Sequence, residues 1–445
     1  MRTELARQLG LGSAVAAIVG EVVGIGIFLA PSGMARAVGS PLWLLIIWLF
    51  SGGVALAGAL CYGELAARFP EAGGSYVYLR EAYGSRCAFL YGWMSFLVMD
   101  PGITAATAIG LGTYIGYATN ITLPLAHKTI ALVVLLLLAA SNAFGLRLGA
   151  RIIRVLTWTK IALLLFLALW GFGLQMGDWS NFVPFAELRP GSQPLIGGIV
   201  SALLLGFFAF GGWWDLGKIA GEVRNPSRSL PAAFALGVGC LTALYVLTSA
   251  VFLYLVPVGL VTSDEAFAAQ AGEVLFGAAG RRIFSAIVAI SILGSLAVLI
   301  TTVPRVYYAM ARDRLFFSRM AVVHPRYGTP AAAILLQTVL AGLLIVVGSF
   351  EQIVAYFFFV SLLFLAMTVA AIAILRKRGG AELSYRTPGY PVTPALFVAS
   401  VSVVLILLAV RNPWQSALGV GVVILGFPLF RFLFPEQGKA AKRQT

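Results

Sequence analysis

Gly20-Glu21-Val22-Val23-Gly24-Ile25-Gly26-Ile27-Phe28 interrupts the first long apolar run of the chain, and Gly206-Phe207-Phe208-Ala209-Phe210-Gly211-Gly212-Trp213 interrupts the sixth. Glycine in a helix interior costs about 1 kcal/mol relative to alanine. Paired or spaced glycines in the middle of a run therefore mark candidate breaks. The competing reading is close helix–helix contact through small residues.

Apolar runs recur from one end of the chain to the other. Of 445 residues, 60% are hydrophobic and 11% charged, against about 25% charged in an ordinary soluble domain. At ~20 residues per bilayer-spanning helix, twelve runs are legible, at 12–36, 42–66, 86–117, 128–144, 152–176, 195–221, 230–257, 281–310, 330–349, 352–375, 391–410 and 415–434. This excludes a soluble enzyme, a nucleic-acid-binding protein and a disordered chain, and leaves an all-α integral membrane protein. The first run is long and followed at once by others, so it reads as a retained helix and not a cleaved signal.

The net charge of +14 follows from topology. With the N-terminus inside, the inner segments hold 24 of the 31 Lys and Arg residues and the outer loops 6, as the positive-inside rule requires. Both termini are expected in the cytoplasm, with the chain a multi-pass protein of the cell (inner) membrane and some attraction to anionic lipid. Cys61, Cys87 and Cys240 are widely spaced and only His127 and His324 occur, so neither a disulfide framework nor a metal centre is expected, and no cofactor is implied. The outer loop 258–280, with Asp264, Glu265 and Glu273 among apolar residues, fits either a short amphipathic helix or a plain structured loop.

The two interrupted runs each open a block of five helices. Helices 1–5 (1–176) form one block and helices 6–10 (195–375) the other, followed by helices 11 and 12 (391–434) and a tail (435–445). Glycine-interrupted spans at corresponding places in two halves point to a transporter built from inverted repeats. Unwinding mid-membrane frees N–H groups at the start of the second half-helix and C=O groups at the end of the first, tolerated only where they line a cavity or meet a ligand. The amides and the positive end of the half-helix dipole suit a carboxylate; the carbonyls suit an ammonium. One site with both complements the backbone of an α-amino acid.

Further motifs lie along the chain. Gly63-Glu64-Leu65-Ala66-Ala67-Arg68-Phe69-Pro70-Glu71-Ala72-Gly73-Gly74-Ser75-Tyr76 follows helix 2, and Gly221-Glu222-Val223-Arg224-Asn225-Pro226 follows helix 6. Tyr308-Ala309-Met310-Ala311-Arg312-Asp313 follows helix 8, and Tyr385-Arg386-Thr387-Pro388-Gly389-Tyr390-Pro391 precedes helix 11. With Gly24-Ile25-Gly26-Ile27-Phe28 and Phe208-Ala209-Phe210-Gly211-Gly212-Trp213, the chain resembles the amino acid–polyamine–organocation superfamily permeases, close to the L-type and related bacterial amino acid exchangers. The resemblance implies a leucine-transporter-like 5+5 inverted repeat with helices 1 and 6 broken, working by alternating access. It implies that the substrate carboxylate meets the backbone of Gly24 to Ile27 and the amino group meets carbonyls around Glu21 to Val23 and Phe208 to Phe210, with Gly211 beside them and Phe208 as a gate. L-type members often carry a polar residue where this chain has Trp214, and the position of Glu21 is usually uncharged. Animal L-type relatives attach a heavy subunit through an outer-loop cysteine; the outer loops here contain none, so no covalent partner subunit is expected.

Several charges fall deep within the runs or at their ends. Lys160 lies in helix 5, where a mid-membrane charge costs ~2.5–3.5 kcal/mol on insertion scales unless it snorkels to the interface. The resemblance implies that its ammonium replaces the sodium of distant relatives at the helix 1 break, lined by Ser291 and Ser295, as a fixed substitute or as a proton carrier. Glu21 either pairs with Lys160 or points into the inner vestibule. Asp100, before Pro101, either contacts substrate or caps a proline kink. Asp215 and Lys218, with Glu222, are expected to form a structural network on helix 6.

The expected function is secondary active transport of neutral α-amino acids by exchange or proton coupling; the alternative is a cationic amino acid or polyamine permease. A channel would need filter-like rings from repeated subunits. An enzyme or ATP-driven pump would need HExxH, Gly-x-Ser-x-Gly or Walker A motifs, and the sequence contains none of these.

Overall fold

The computed structural model describes residues 5–143, 145–189, 192–261, 266–348, 350–379 and 384–434. Span 1 is two helices, α1 (Leu11–Val22) and α2 (Gly26–Val38), bent by 47° at the glycine-rich break. Span 2 is α3 (Pro41–Arg68), followed by the short α4 (Ser75–Tyr83). Span 3 consists of α5 (Ser85–Met94), a π-helical turn over Ser95–Met99, and α6 (Asp100–Thr119). Spans 4 and 5 are α7 (Pro124–Ala143) and α8 (Leu146–Gly173). Span 6 is α9 (Leu195–Ala209), continued after a break by a 3₁₀ run over Trp213–Glu222.

Span 7 is α10 (Pro226–Leu255), and α11 (Ala266–Phe276) crosses the following loop. Span 8 is α12 (Gly280–Thr302), extended by α13 (Pro304–Arg312). Spans 9 to 12 are α14 (Ala331–Val347), α15 (Phe350–Lys377), α16 (Val392–Arg411) and α17 (Pro413–Leu433). Ten of these helices are long and apolar enough to cross a bilayer, the bent pair adds an eleventh, and the 17-residue α14 is shorter but still spans about 26 Å at 1.5 Å per residue. The only strand-like pairing among the described residues is one isolated bridge, Leu9 to Val223.

Local chemistry explains several boundaries. Pro41 and Pro226 stand at helix starts, where their missing N–H is no loss. Gly39 and Asn120 close α2 and α6 in left-handed conformation, the usual helix stop. In span 3 the proline expectation takes a specific form. Pro101 cannot donate to the preceding turn, and the chain absorbs this in the π turn at Ser95–Met99, a wide turn frequent at functional sites. The loop helix α11 is the amphipathic alternative: Phe267 and Ala271 are buried, while exposed Glu273 pairs with Arg281 at 3.2 Å. Asp264, Glu265 and the tail 435–445 lie outside the described residues.

The two half-helices of span 1 have different neighbours. Helix α1 packs against α8, α10 and α12, whereas α2 packs against α9 and α11. On the face carrying the N-terminal segment several contacts tie distant segments together. Gln8 and Leu9 donate backbone N–H groups to the Glu222 carbonyl at 2.8 and 2.9 Å, and Arg224 N–H donates to Leu9. Arg305 Nε donates to Glu222 Oε1 at 2.8 Å, both side chains being 0% exposed; Glu222 thus serves Arg305, not the Asp215–Lys218 pair. Arg80 Nη1 reaches Asp313 at 2.7 Å, and Tyr76 donates to the same carboxylate. Burial disfavours the Arg80 charge, but Asp313, Glu81 and Glu71 outweigh it and hold the guanidinium protonated beyond its usual range. The helix 2–3 motif is anchored by Glu64, which accepts from Arg376 at 2.8 and 2.5 Å and from Thr387 N–H at 2.6 Å. Breaking a buried ion pair by removing one partner costs about 3–5 kcal/mol, so Glu222→Gln is expected to lower the thermal midpoint of the detergent-solubilised protein by several degrees while Glu222→Gln with Arg305→Met recovers most of it.

Candidate functional site

At the break in span 1, Val23 N–H still reaches Val19 and Gly24 N–H turns back to Val22 at 2.8 Å. The N–H groups of Ile25, Gly26 and Ile27 have no acceptor among the described residues, the ordinary consequence of starting a helix. Gly24, Ile25 and Gly26 face a cavity, whereas Ile27 is fully buried behind them. The free amides and the positive end of α2 thus point at one place. On the other side of the break the Glu21 carbonyl has no donor among the described residues. Val22 O is taken by Tyr245 Oη at 3.1 Å, and Gly20 O and Val23 O by Lys160.

Lys160 is 1% exposed, which removes the snorkelling reading. Its Nζ donates to Gly20 O at 2.8 Å, Val23 O at 2.7 Å, Ser291 O at 2.7 Å and Ser295 Oγ at 3.4 Å. Ser291 Oγ donates to Val23 O at 3.0 Å and Ser295 Oγ to Gly20 O at 3.1 Å. The residues named by the resemblance therefore meet at the carbonyl end of α1, where a positive charge is favoured. The lysine has room because residue 294 is glycine: a Cβ there would stand 2.7 Å from Lys160 Cε and 2.8 Å from Nζ.

The break in span 6 comes at Phe210-Gly211-Gly212. Gly212 has φ +114°, a conformation that side chains disfavour, and the Glu21 side chain lies against it, 3.2–3.4 Å from where a Cβ would stand. The two breaks touch. A Cβ on Gly26 would lie 3.0 Å from Ala209 Cα, and the one hydroxyl hydrogen of Tyr245 is shared between Ala209 O on one break, at 2.5 Å, and Val22 O on the other, at 3.1 Å. Of the expected ammonium acceptors on this side, Phe208 O accepts from Gly211 N–H and Ala209 O from Tyr245.

Between the breaks lies a cavity of about 120 Å³, bounded by Glu21, Gly24 to Gly26, Phe208, Ala209, Gly211, Gly212, Trp214, Asp215, Lys218, Ser295 and, from α6 and α15, Asp100, Thr107, Phe358 and Ser361. At about 30 Å³ per liquid water it has room for roughly four waters or one small solute. Phe208 meets Phe358 edge-on across its wall at 5.6 Å.

Glu21 does not pair with Lys160. The lysine's donors are spent on carbonyls, and the Glu21 side chain instead lies against Gly212 at the wall of the cavity that Asp215 also lines. Asp100 does more than cap a kink: it accepts from the Ser95 hydroxyl and, at 2.9 Å, from Lys218. Lys218 also donates to Asp215 Oδ2 at 2.8 Å, so the i, i+3 pair is present with an unforeseen third member from span 3. Sequence reasoning also missed Tyr245 and Gly294. A tyrosine hydroxyl in the middle of the apolar run Leu244-Tyr245-Val246-Leu247 was a signal; Gly294 gave none, since its role depends on which helix faces it.

An amino acid permease family model matches residues 9–428. The chain is 30% identical to a serine/threonine exchanger of Bacillus subtilis, over 97% of this chain and 98% of that one. It is 31% identical to the human b(0,+)-type amino acid transporter 1, over 97% and 88%, and 28% identical to the mouse Asc-type amino acid transporter 1, over 96% and 81%. With a lysine-filled break in span 1, a glycine break in span 6 and the family pattern over nearly the whole chain, this protein belongs to the amino acid permease family of multi-pass membrane transporters.

Proposed function

We propose that this protein carries neutral α-amino acids across the membrane by alternating access, as an exchanger or in symport with protons. The observation that carries this reading is the pair of unspent backbone groups facing one cavity. The Ile25 and Gly26 amides suit a carboxylate and the Glu21 carbonyl an ammonium, while the side chain of the substrate is left to Trp214, Phe208 and Phe358. The relatives named above include a serine/threonine exchanger, which fits a cavity with room for a small amino acid. Lys160, with Ser291 and Ser295, takes the place of a coupling cation at the end of α1, and Phe208 with Phe358 is the gate.

In this reading the face carrying the N-terminal segment is cytoplasmic, as the basic residues require. Blocks 1–176 and 195–375 form the two inverted repeats, each opening on its broken span. The protein acts without a covalent partner subunit, its cysteines lying within α3, α5 and α10.

The test is uptake of labelled serine into liposomes holding the purified protein, with and without unlabelled serine inside and with an imposed pH gradient. Saturable uptake stimulated by internal amino acid is the expected result; stimulation by an inward proton gradient alone would assign symport. A conductance that does not saturate with substrate would replace the reading with a channel.

A further inference from the structure

Trp214 lines two cavities. One is the cavity between the breaks. The other is a separate space of about 20 Å³ bounded by Ser51 and Ala55 of α3, Phe210, Leu362 and Leu365 of α15, and Phe397 of α16, less than the roughly 30 Å³ of one liquid water. The indole is the wall that the two share. It lies over the span 6 break, with its Cη2 atom 3.6 Å from where a Cβ on Gly211 would stand. Trp213 is buried, meets Trp214 edge-on at 5.5 Å and packs against Phe397 at 6.1 Å, so the wall is braced from within its own helix.

The space behind the indole differs from ordinary packing at one point. Ser51 is 2% exposed, and its hydroxyl has no hydrogen-bond partner among the described residues. A serine or threonine within a helix commonly turns its hydroxyl back to the carbonyl four residues earlier, as Thr242 and Thr338 do here; Ser51 does not. Residue 206 of α9 leaves the hydroxyl its room by being glycine, since a Cβ there would stand 2.5 Å from Ser51 Oγ. Buried polar groups are almost always paired, so an unspent hydroxyl in an otherwise apolar wall marks where a polar atom of a guest fits. The aromatic faces of Phe210 and Phe397 beside it suit a planar ring.

We propose that Trp214 is the specificity-determining residue of this site: its indole limits the protein to amino acids with small side chains by closing off a compartment between α3, α15 and α16 that would otherwise take an aromatic side chain with a polar tip. The proposal rests on the amino acid reading above and adds the side-chain class to it. With the indole in place, the cradle and about 120 Å³ of cavity receive the whole substrate. With the indole removed, the two spaces become one through the place it occupied, and a ring held there reaches toward Ser51.

The test is competition of alanine, phenylalanine and tyrosine with labelled serine for the purified full-length protein. In the wild type alanine is expected to bind at least about tenfold more tightly than phenylalanine, the scale on which an apolar pocket discriminates size. In Trp214→Ala the phenylalanine-to-alanine affinity ratio is expected to rise at least about tenfold. Tyrosine is then expected to bind better than phenylalanine, and to lose that advantage when Ser51→Ala is added. A merely structural role for the indole would weaken all the amino acids alike and leave the ratio flat, which overturns the proposal; so does a wild type that binds phenylalanine as tightly as alanine. A tyrosine preference that persists without the Ser51 hydroxyl overturns the compartment. Should Trp214→Ala not fold, Trp214→Leu keeps the wall apolar but shorter, and the same rise is required of it. No serine binding to the wild type overturns the amino acid reading and this proposal with it, whereas serine binding with a flat ratio overturns this proposal alone.

Discussion

Lys160→Ala is expected to reduce amino acid transport at least about a hundredfold and to weaken substrate binding. The ammonium holds three main-chain carbonyls and a serine hydroxyl in place, and two of those carbonyls, Gly20 and Val23, belong to the end of α1 that shapes the cradle. Hydrogen bonds to a charged group contribute about 1.5–3 kcal/mol each, and each 1.4 kcal/mol is a factor of ten. Losing even two of them leaves converging, unpaired oxygens in a buried site, which repel one another and move the break. Lys160→Arg is expected to fail as well, since the larger guanidinium meets the helix α12 backbone at Gly294. The emptied cage of carbonyl and hydroxyl oxygens is a ligand set for a hard cation, so high sodium is expected to restore part of the binding to the alanine variant. Binding of labelled serine, followed with and without sodium, checks both statements; wild-type binding in Lys160→Ala would show that the lysine does not hold the break.

Gly26→Ala is expected to abolish substrate binding to within detection, a loss of at least about a hundredfold. The added Cβ would stand 3.0 Å from Ala209 Cα and 3.2 Å from its Cβ. The first of these is backbone, which cannot rotate away as a side-chain tip can, so the two breaks must separate. Tyr245 then cannot reach both Val22 O and Ala209 O. The comparison variant is Gly12→Ala, in the same span, where a Cβ meets nothing within 4 Å; it is expected to bind as the wild type does. Equal binding by the two variants would mean that the breaks do not need their close approach.

Much of this was legible in the residues, for a physical reason. A bilayer admits only long apolar helices, so length and hydropathy gave the spans, and the basic residues gave a topology. A break in such a helix needs glycine and leaves polar main-chain atoms that must find a use, which is why Gly24-Ile25-Gly26 and Gly211-Gly212 pointed to the cradle. Lys160 was visible because a lysine in lipid requires a partner. The partner of Glu21 was not visible. Its place three residues before Gly24 fitted Lys160 and the inner vestibule equally, but the ammonium is consumed by carbonyls, which carry no sequence signature, and the glutamate lies against Gly212 at the cavity wall.

The sequence by itself determined what had to be buried, where two helices had to come undone, and that main-chain atoms would be exposed there, because these follow from local composition and from the solvent the chain lives in. Only the tertiary structure decided which side chains meet at those places. That Tyr245 ties the two breaks together, that Gly294 makes room for Lys160, and that Asp100 joins Lys218 across spans 3 and 6 all depend on helix packing between distant segments, and a buried charge takes whichever partner that packing brings within hydrogen-bonding distance.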